Sequence, residues 1–168
     1  MVSDYLSKYC TYYLSRYSVS KKKFENILKK KIKKDFFNKK INEAEFEILS
    51  QEIKGTIEFY KKSGFFNEQE MVRSKVNYLI KKGFSRRKIM VYLKKEFFET
   101  EIIKKETSFI NYDQEFDSKQ IETFMRKKRF KKGNKLNNLS KENFDKILRR
   151  LLQEGFGLND CQNYLKNN

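Results

Sequence analysis

Between Ser63 and Leu93 the chain reads SGFFNEQEMVRSKVNYLIKKGFSRRKIMVYL, and no other stretch narrows the fold as much. Asn67 is an N-cap residue with Glu70 at the reciprocal capping-box position, where side-chain oxygens take up the open N–H groups of a first turn. Met71, Val72, Val76 and Leu79 then fall along one face at helical spacing. Gly83, after Lys81 and Lys82, stands where a helix end turns left-handed and a Cβ is unwelcome. Ser85 caps a second helix whose apolar face is Ile89, Tyr92, Leu93 and Phe97. Two amphipathic helices joined by a tight Gly-containing turn are the unit of helical-repeat and DNA-binding folds alike. Pro is absent and only 6 residues are Gly, which suits helices and not a sandwich or barrel. The expected class is all-α.

The unit has echoes elsewhere. Gly83-Phe84-Ser85 aligns with Gly155-Phe156-Gly157 and with Ser18-Val19-Ser20. That frame puts Phe24, Ile89 and Cys161 on one position, Ile27, Tyr92 and Tyr164 on another, and Leu28, Leu93 and Leu165 on a third. Leu14, Leu79 and Leu151 coincide upstream of the turn. Self-similarity of this kind marks stacked helical modules, each unable to bury its apolar face alone; chance matching of amphipathic helices is the competing explanation. The expected architecture is an elongated, curved array of about three tandem three-helix, helix-turn-helix-like repeats. Residues 1–38 would hold a first helix pair, 39–66 a long connecting helix, 67–116 a central repeat, and 117–168 a C-terminal repeat with a basic loop.

Along the chain, a helix from Ser3 to Tyr17 buries Leu6, Cys10, Tyr13, Leu14 and Tyr17. A second begins at Ser20 with Phe24, Ile27, Leu28, Ile32 and Phe36. Asn42 opens a long third helix, with Glu45 at the capping-box position; its interior Gly55 signals close packing or a bend. Thr100 is expected to cap a sixth helix and Ser118 to begin another. Lys131 to Asn138 reads as a loop. Ser140 restarts a helix, and Leu158 to Leu165 forms the last.

Catalysis has little to stand on, so an enzyme is not expected. The chain has no His, no Gly-rich phosphate loop and no nucleophile elbow, and no cofactor is implied. Cys10 and Cys161 lie on apolar helix faces and are expected to be buried small hydrophobes. No run of about 18 apolar residues is present and the N-terminus lacks an apolar signal core, so no membrane partner and a soluble cytoplasmic protein, in single copies, are expected.

Charge carries more. The net charge of +17 attracts polyanions, although an AT-rich genome enriches Lys on its own. Lys21-Lys22-Lys23 and Arg86-Arg87-Lys88 occupy the first turn of a helix just after its Ser cap, where cations oppose the macrodipole. Helices that forgo the favourable arrangement point to an anionic partner, phosphate or carboxylate; a solvated face is the alternative. Arg126-Lys127-Lys128-Arg129 is the densest cluster, equally explained by the dipole at a helix end. Arg73, Arg149 and Arg150 complete the candidate partner-binding or nucleic-acid-binding residues.

The Gly64-Phe65-Phe66-Asn67-Glu68 run, Val72-Arg73-Ser74, the Lys82 to Ile89 segment and the closing Arg149 to Phe156 resemble the RecX family of recombinase regulators. The resemblance implies a helical array that lies in the groove of the RecA–DNA filament and limits its assembly or activity. It thereby implies the RecA filament and DNA phosphates, single- or double-stranded, as partners. Two other classes remain open: a stand-alone helix-turn-helix DNA binder using Arg86-Arg87-Lys88, and a scaffold for an acidic protein.

Overall fold

The computed structural model describes residues 2–128 and 140–167. Among them are nine α-helices and no β-strand: α1 (Asp4–Leu14), α2 (Lys21–Phe37), α3 (Glu43–Lys62), α4 (Glu68–Lys82), α5 (Arg86–Lys95), α6 (Thr100–Tyr112), α7 (Phe116–Lys127), α8 (Lys141–Gln153) and α9 (Leu158–Asn167). The protein is all-α. The loop expected over Lys131 to Asn138 lies outside the described residues.

Helix starts follow local side-chain chemistry. Ser3, Ser20, Asn42 and Ser140 each accept the N–H three residues on. Asn67 does the same for Glu70 at 3.3 Å, and Ser85 for Lys88 at 3.2 Å. At Asn42 the box closes, with Glu45 Oε2 accepting the Asn42 N–H at 2.8 Å. Two starts differ from expectation. Thr100 is itself the first helical residue of α6. Helix α7 begins at Phe116, ahead of Ser118, and Glu115 gives it no side-chain cap; the Asp113 carboxylate accepts the Glu115 N–H at 3.0 Å and shapes the approach instead.

Helix ends share one device. Gly64, Gly83 and Gly155 take φ of 81°, 79° and 87°. The next residue's N–H then reaches back to the helix, as Phe84 does to the Leu79 carbonyl at 3.2 Å and Phe156 to that of Leu151 at 3.3 Å. Lys39 and Phe97 make the same left-handed turn at φ of 55° and 59° despite their Cβ atoms. At the end of α5 this moves Phe97 into solvent, 50% exposed, and gives the buried place to Phe98.

The chain forms two compact units. The first is Met1–Met71 with Glu96–Glu99, the second Val72–Lys95 with Thr100–Asn168. The core of the first gathers Leu6, Cys10, Phe24, Leu28, Ile32, Leu49, Ile53, Ile57 and Tyr60, with Phe66 against Phe24. Phe65 stays partly exposed, its ring edge-on to Tyr60. Because α1 stops at Leu14, Tyr17 is exposed and not buried as its spacing predicts. In the second unit Ile121, Phe124, Met125, Ile147, Leu151, Phe156, Cys161 and Leu165 pack together. Positions aligned from the sequence share their burial: Phe24, Ile89 and Cys161 are each 0% exposed, and Leu28, Leu93 and Leu165 are buried likewise. Burial pushes the Cys10 thiol up to about 12 and the Cys161 thiol to about 11, so both behave as apolar groups near neutral pH.

A charged group sits deep inside the first unit. Asp35, on α2, is 3% exposed and accepts from the Tyr5 hydroxyl and the Lys31 ammonium. Burial alone would raise its carboxyl, but the bonds from Lys31 and Tyr5 outweigh it and hold the carboxyl below its ordinary value. The ionised form is therefore the one the fold favours. Its contribution is present above the unfolded value, about 3.9, and is lost as pH falls through the lower folded value. Asp35→Asn should cost about 1–3 kcal/mol at neutral pH and flatten the acid limb of stability, read by urea denaturation across a pH series.

Candidate polyanion-binding surface

Except for Arg87, the cations expected to face a partner from the starts of α2 and α5 are engaged within the chain. In the first unit Ser20 Oγ accepts the Lys23 N–H at 3.2 Å and donates to the Glu96 carbonyl at 2.6 Å. Lys23 pairs with the Glu96 carboxylate at 2.7 Å, Lys21 with Glu99 at 3.4 Å, and Lys22 with Glu25 at 2.9 Å. In the second unit the same arrangement recurs. Ser85 Oγ accepts the Lys88 N–H at 3.2 Å and donates to the Glu154 carbonyl at 2.8 Å, while Lys88 pairs with the Glu154 carboxylate.

The unfavourable dipole is also answered internally. Glu68 Oε1 accepts the Lys21 N–H at 2.6 Å, and Asp117 Oδ1 accepts the Arg86 N–H at 2.8 Å. Each helix start thus receives from a distant residue the carboxylate that its own first turn lacks. Burial raises the Asp117 carboxyl, and the Arg86 N–H and charge offset that only in part. The Arg86 guanidinium turns to the end of α6, donating to the Asp113 carbonyl at 2.7 Å and the Asn111 carbonyl at 3.5 Å, and lies over the Phe116 ring. A cation on the last carbonyls of a helix is a stabilising cap. Arg73 pairs with Glu106 at 3.0 Å and Arg150 with Glu154 at 3.2 Å. Of the triplet on α5, Arg87 alone is exposed and without a charged partner among the described residues.

One group of open cations forms elsewhere in the second unit. Gly83, ending α4, lies so close to α7 that a Cβ on it would stand 2.8 Å from the Phe124 backbone nitrogen. That approach brings together the C-terminal turns of α4 and α7, both basic. Lys81 and Lys82 from one meet Arg126, Lys127 and Lys128 from the other, all exposed. Lys127 donates to the Lys81 carbonyl across the contact. Lys82 lies 5.2 Å from the ring centre of Tyr78, which is 57% exposed. Lys128 then shares an open groove with Lys146, Arg149 and Arg150 of α8, beside Glu142 and Asp145. Arg129 falls outside the described residues. Carbonyl ends and cations suit one another, yet two such ends set side by side exceed what either dipole needs. Exposed cations flanking an open aromatic ring are equipped for phosphates and for a stacked base.

The sequence singles out Arg126 to Lys128 and Arg149, while Lys81, Lys82, Lys146 and Tyr78 join that surface only in the structure. The pair before Gly83 reads as an ordinary helix ending; only the α4–α7 approach joins it to the second cluster. No protein-family model, curated protein or solved structure matches the chain.

Ser85→Ala removes an N-cap and a bond to Glu154 together, and should cost about 1–2 kcal/mol. Arg87→Ala, in the same first turn but open to solvent, should stay within about 0.5 kcal/mol of the parent. Urea denaturation of the two variants checks the contrast.

Proposed function

We propose that the chain is a modulator, most simply a negative one, of a RecA-type recombinase filament, built as tandem three-helix repeats and holding the filament partly through nucleic-acid phosphates. The partner comes from the resemblance of Gly64 to Glu68, Val72 to Ser74, Lys82 to Ile89 and Arg149 to Phe156 to the RecX family. The observation that carries the phosphate contact is the meeting of two basic helix ends at Lys81, Lys82, Arg126, Lys127 and Lys128, continued onto α8 by Lys146 and Arg149. The shared burial of aligned positions and the twice-built Ser–Lys–Glu junction support the repeat reading.

The helix-turn-helix alternative has less to work with. Its reading helix would be α5, whose Arg86 and Lys88 are turned to α6 carbonyls and to Glu154. A reader of base edges needs several open polar side chains there, and Arg87 is the exposed cation of that turn.

Purified protein should co-sediment with preformed RecA filaments more tightly than with naked single strands, and should slow DNA-dependent ATP hydrolysis. Equal affinity for bare strands with no effect on hydrolysis would leave only a DNA binder. The combined Lys81→Ala, Lys82→Ala, Arg126→Ala and Lys128→Ala variant should bind at least tenfold more weakly. Its log–log salt slope should shrink by about 0.7 for each single-strand phosphate that is no longer neutralised. Arg86→Ala and Lys88→Ala should act first on stability.

A further inference from the structure

Helix α3 carries a glycine that no close packing within the chain accounts for. Gly55 is exposed in the middle of an unbroken helix, and a Cβ built on it meets nothing within 4 Å. Internal close packing, one reason its sequence position offered, therefore does not apply. A mid-helix glycine is destabilising against alanine, so its place calls for a use outside the fold. At helical spacing Gly55 shares its stripe with Ile48 and Phe59, which are 57% and 55% exposed. Large apolar side chains one to two turns either side of a missing Cβ form the surface on which a second helix can approach closely.

We propose that this stripe is a self-association surface, on which α3 of a second copy of the chain packs antiparallel about a two-fold axis near Gly55. Charge selects the occupant. The first half of α3 is acidic and exposed at Glu43, Glu45 and Glu47, and its last turn is basic at Lys61 and Lys62. That polarity serves the helix dipole in one copy. Two antiparallel copies set Glu43 and Glu47 of one near Lys61 and Lys62 of the other, and by symmetry the reverse. Ile48 then faces Phe59 on both sides of the axis, and each Gly55 opens room for the opposing helix. A polyanion would be repelled by the acidic half, and an acidic protein would satisfy only the basic end. A second copy satisfies both. The inference does not depend on the recombinase reading, since its surface lies in the first unit and the cationic surface in the second.

Sedimentation equilibrium of the full nuclease-treated chain over a concentration series tests it. The parent should dimerise reversibly, and Gly55→Leu and Phe59→Glu should each weaken dimerisation at least tenfold while keeping helical circular dichroism. Gly55→Ala should raise the melting temperature at concentrations where the chain is monomeric, which confirms that the glycine serves nothing within one copy. Lys61→Glu with Lys62→Glu should weaken association at least tenfold, and adding Glu43→Lys with Glu47→Lys should restore it. A parent that stays monomeric to its solubility limit overturns the proposal. So does a dimer indifferent to Gly55→Leu, or a charge reversal that fails to rescue.

Discussion

Much of this structure turns on helix starts that are completed by residues far away in the chain. A serine hydroxyl is both acceptor and donor, so Ser20 and Ser85 can each take an N–H from their own first turn and still give a proton to another segment's carbonyl. The lysine three residues on then reaches the carboxylate of that same glutamate. A second carboxylate, Glu68 or Asp117, takes the first N–H of the helix. Donors left open at a helix start, a cation in the wrong place for the dipole and a carbonyl left open at a helix end thus satisfy one another. Each junction is part-buried, so removing one member strands the others without partners, which costs more than the one bond removed.

This is also where the sequence becomes hard to read. The caps at Ser20, Asn42, Asn67 and Ser85 were legible because a cap is local: donor and acceptor are three residues apart. The left-handed ending at Gly83, and by alignment that at Gly155, was legible for the same reason. Lys21 to Lys23 and Lys88 look like cations in search of an anion, and each has a carboxylate in this chain, while Arg86 turns to carbonyls and Arg87 stays open. The start of α7 escaped because Asp113, and not a residue at the cap itself, organises it. Phe97 escaped because its spacing continues the apolar face of α5, while its φ of 59° has already left the helix.

The candidate surface was half visible for a related reason. Arg126 to Lys128 stand out as a run, but a basic run at a helix end has a sufficient local explanation in the dipole. Lys81 and Lys82 vanish into the same explanation. What changes their meaning is Gly83, whose missing Cβ lets two helix ends touch backbone to backbone. With cations gathered from both, mutual repulsion makes a further negative ligand more favourable there than at either end alone. Net charge is thus a poor guide to binding until the internally paired cations are set aside. Lys21, Lys23, Arg73, Lys88 and Arg150 all contribute to +17 and all face carboxylates.

Helix α9 shows the opposite solution to the problem that α2 and α5 solve at a distance. In the aligned frame Gly157 stands where Ser20 and Ser85 stand, and Asp160 where Lys23 and Lys88 stand. Without a hydroxyl, Gly157 has no side chain to offer another segment's carbonyl. Asp160 brings a negative charge into the first turn, its carboxylate lying over Gly157 so closely that a Cβ there would stand 2.9 Å from Oδ2. The dipole of α9 is therefore answered within its own first turn, with no need of a distant acid such as Glu68 or Asp117. The two substitutions make sense only together: a lysine at 160 would restore the demand for a remote carboxylate, and a serine at 157 would crowd the aspartate that removes it.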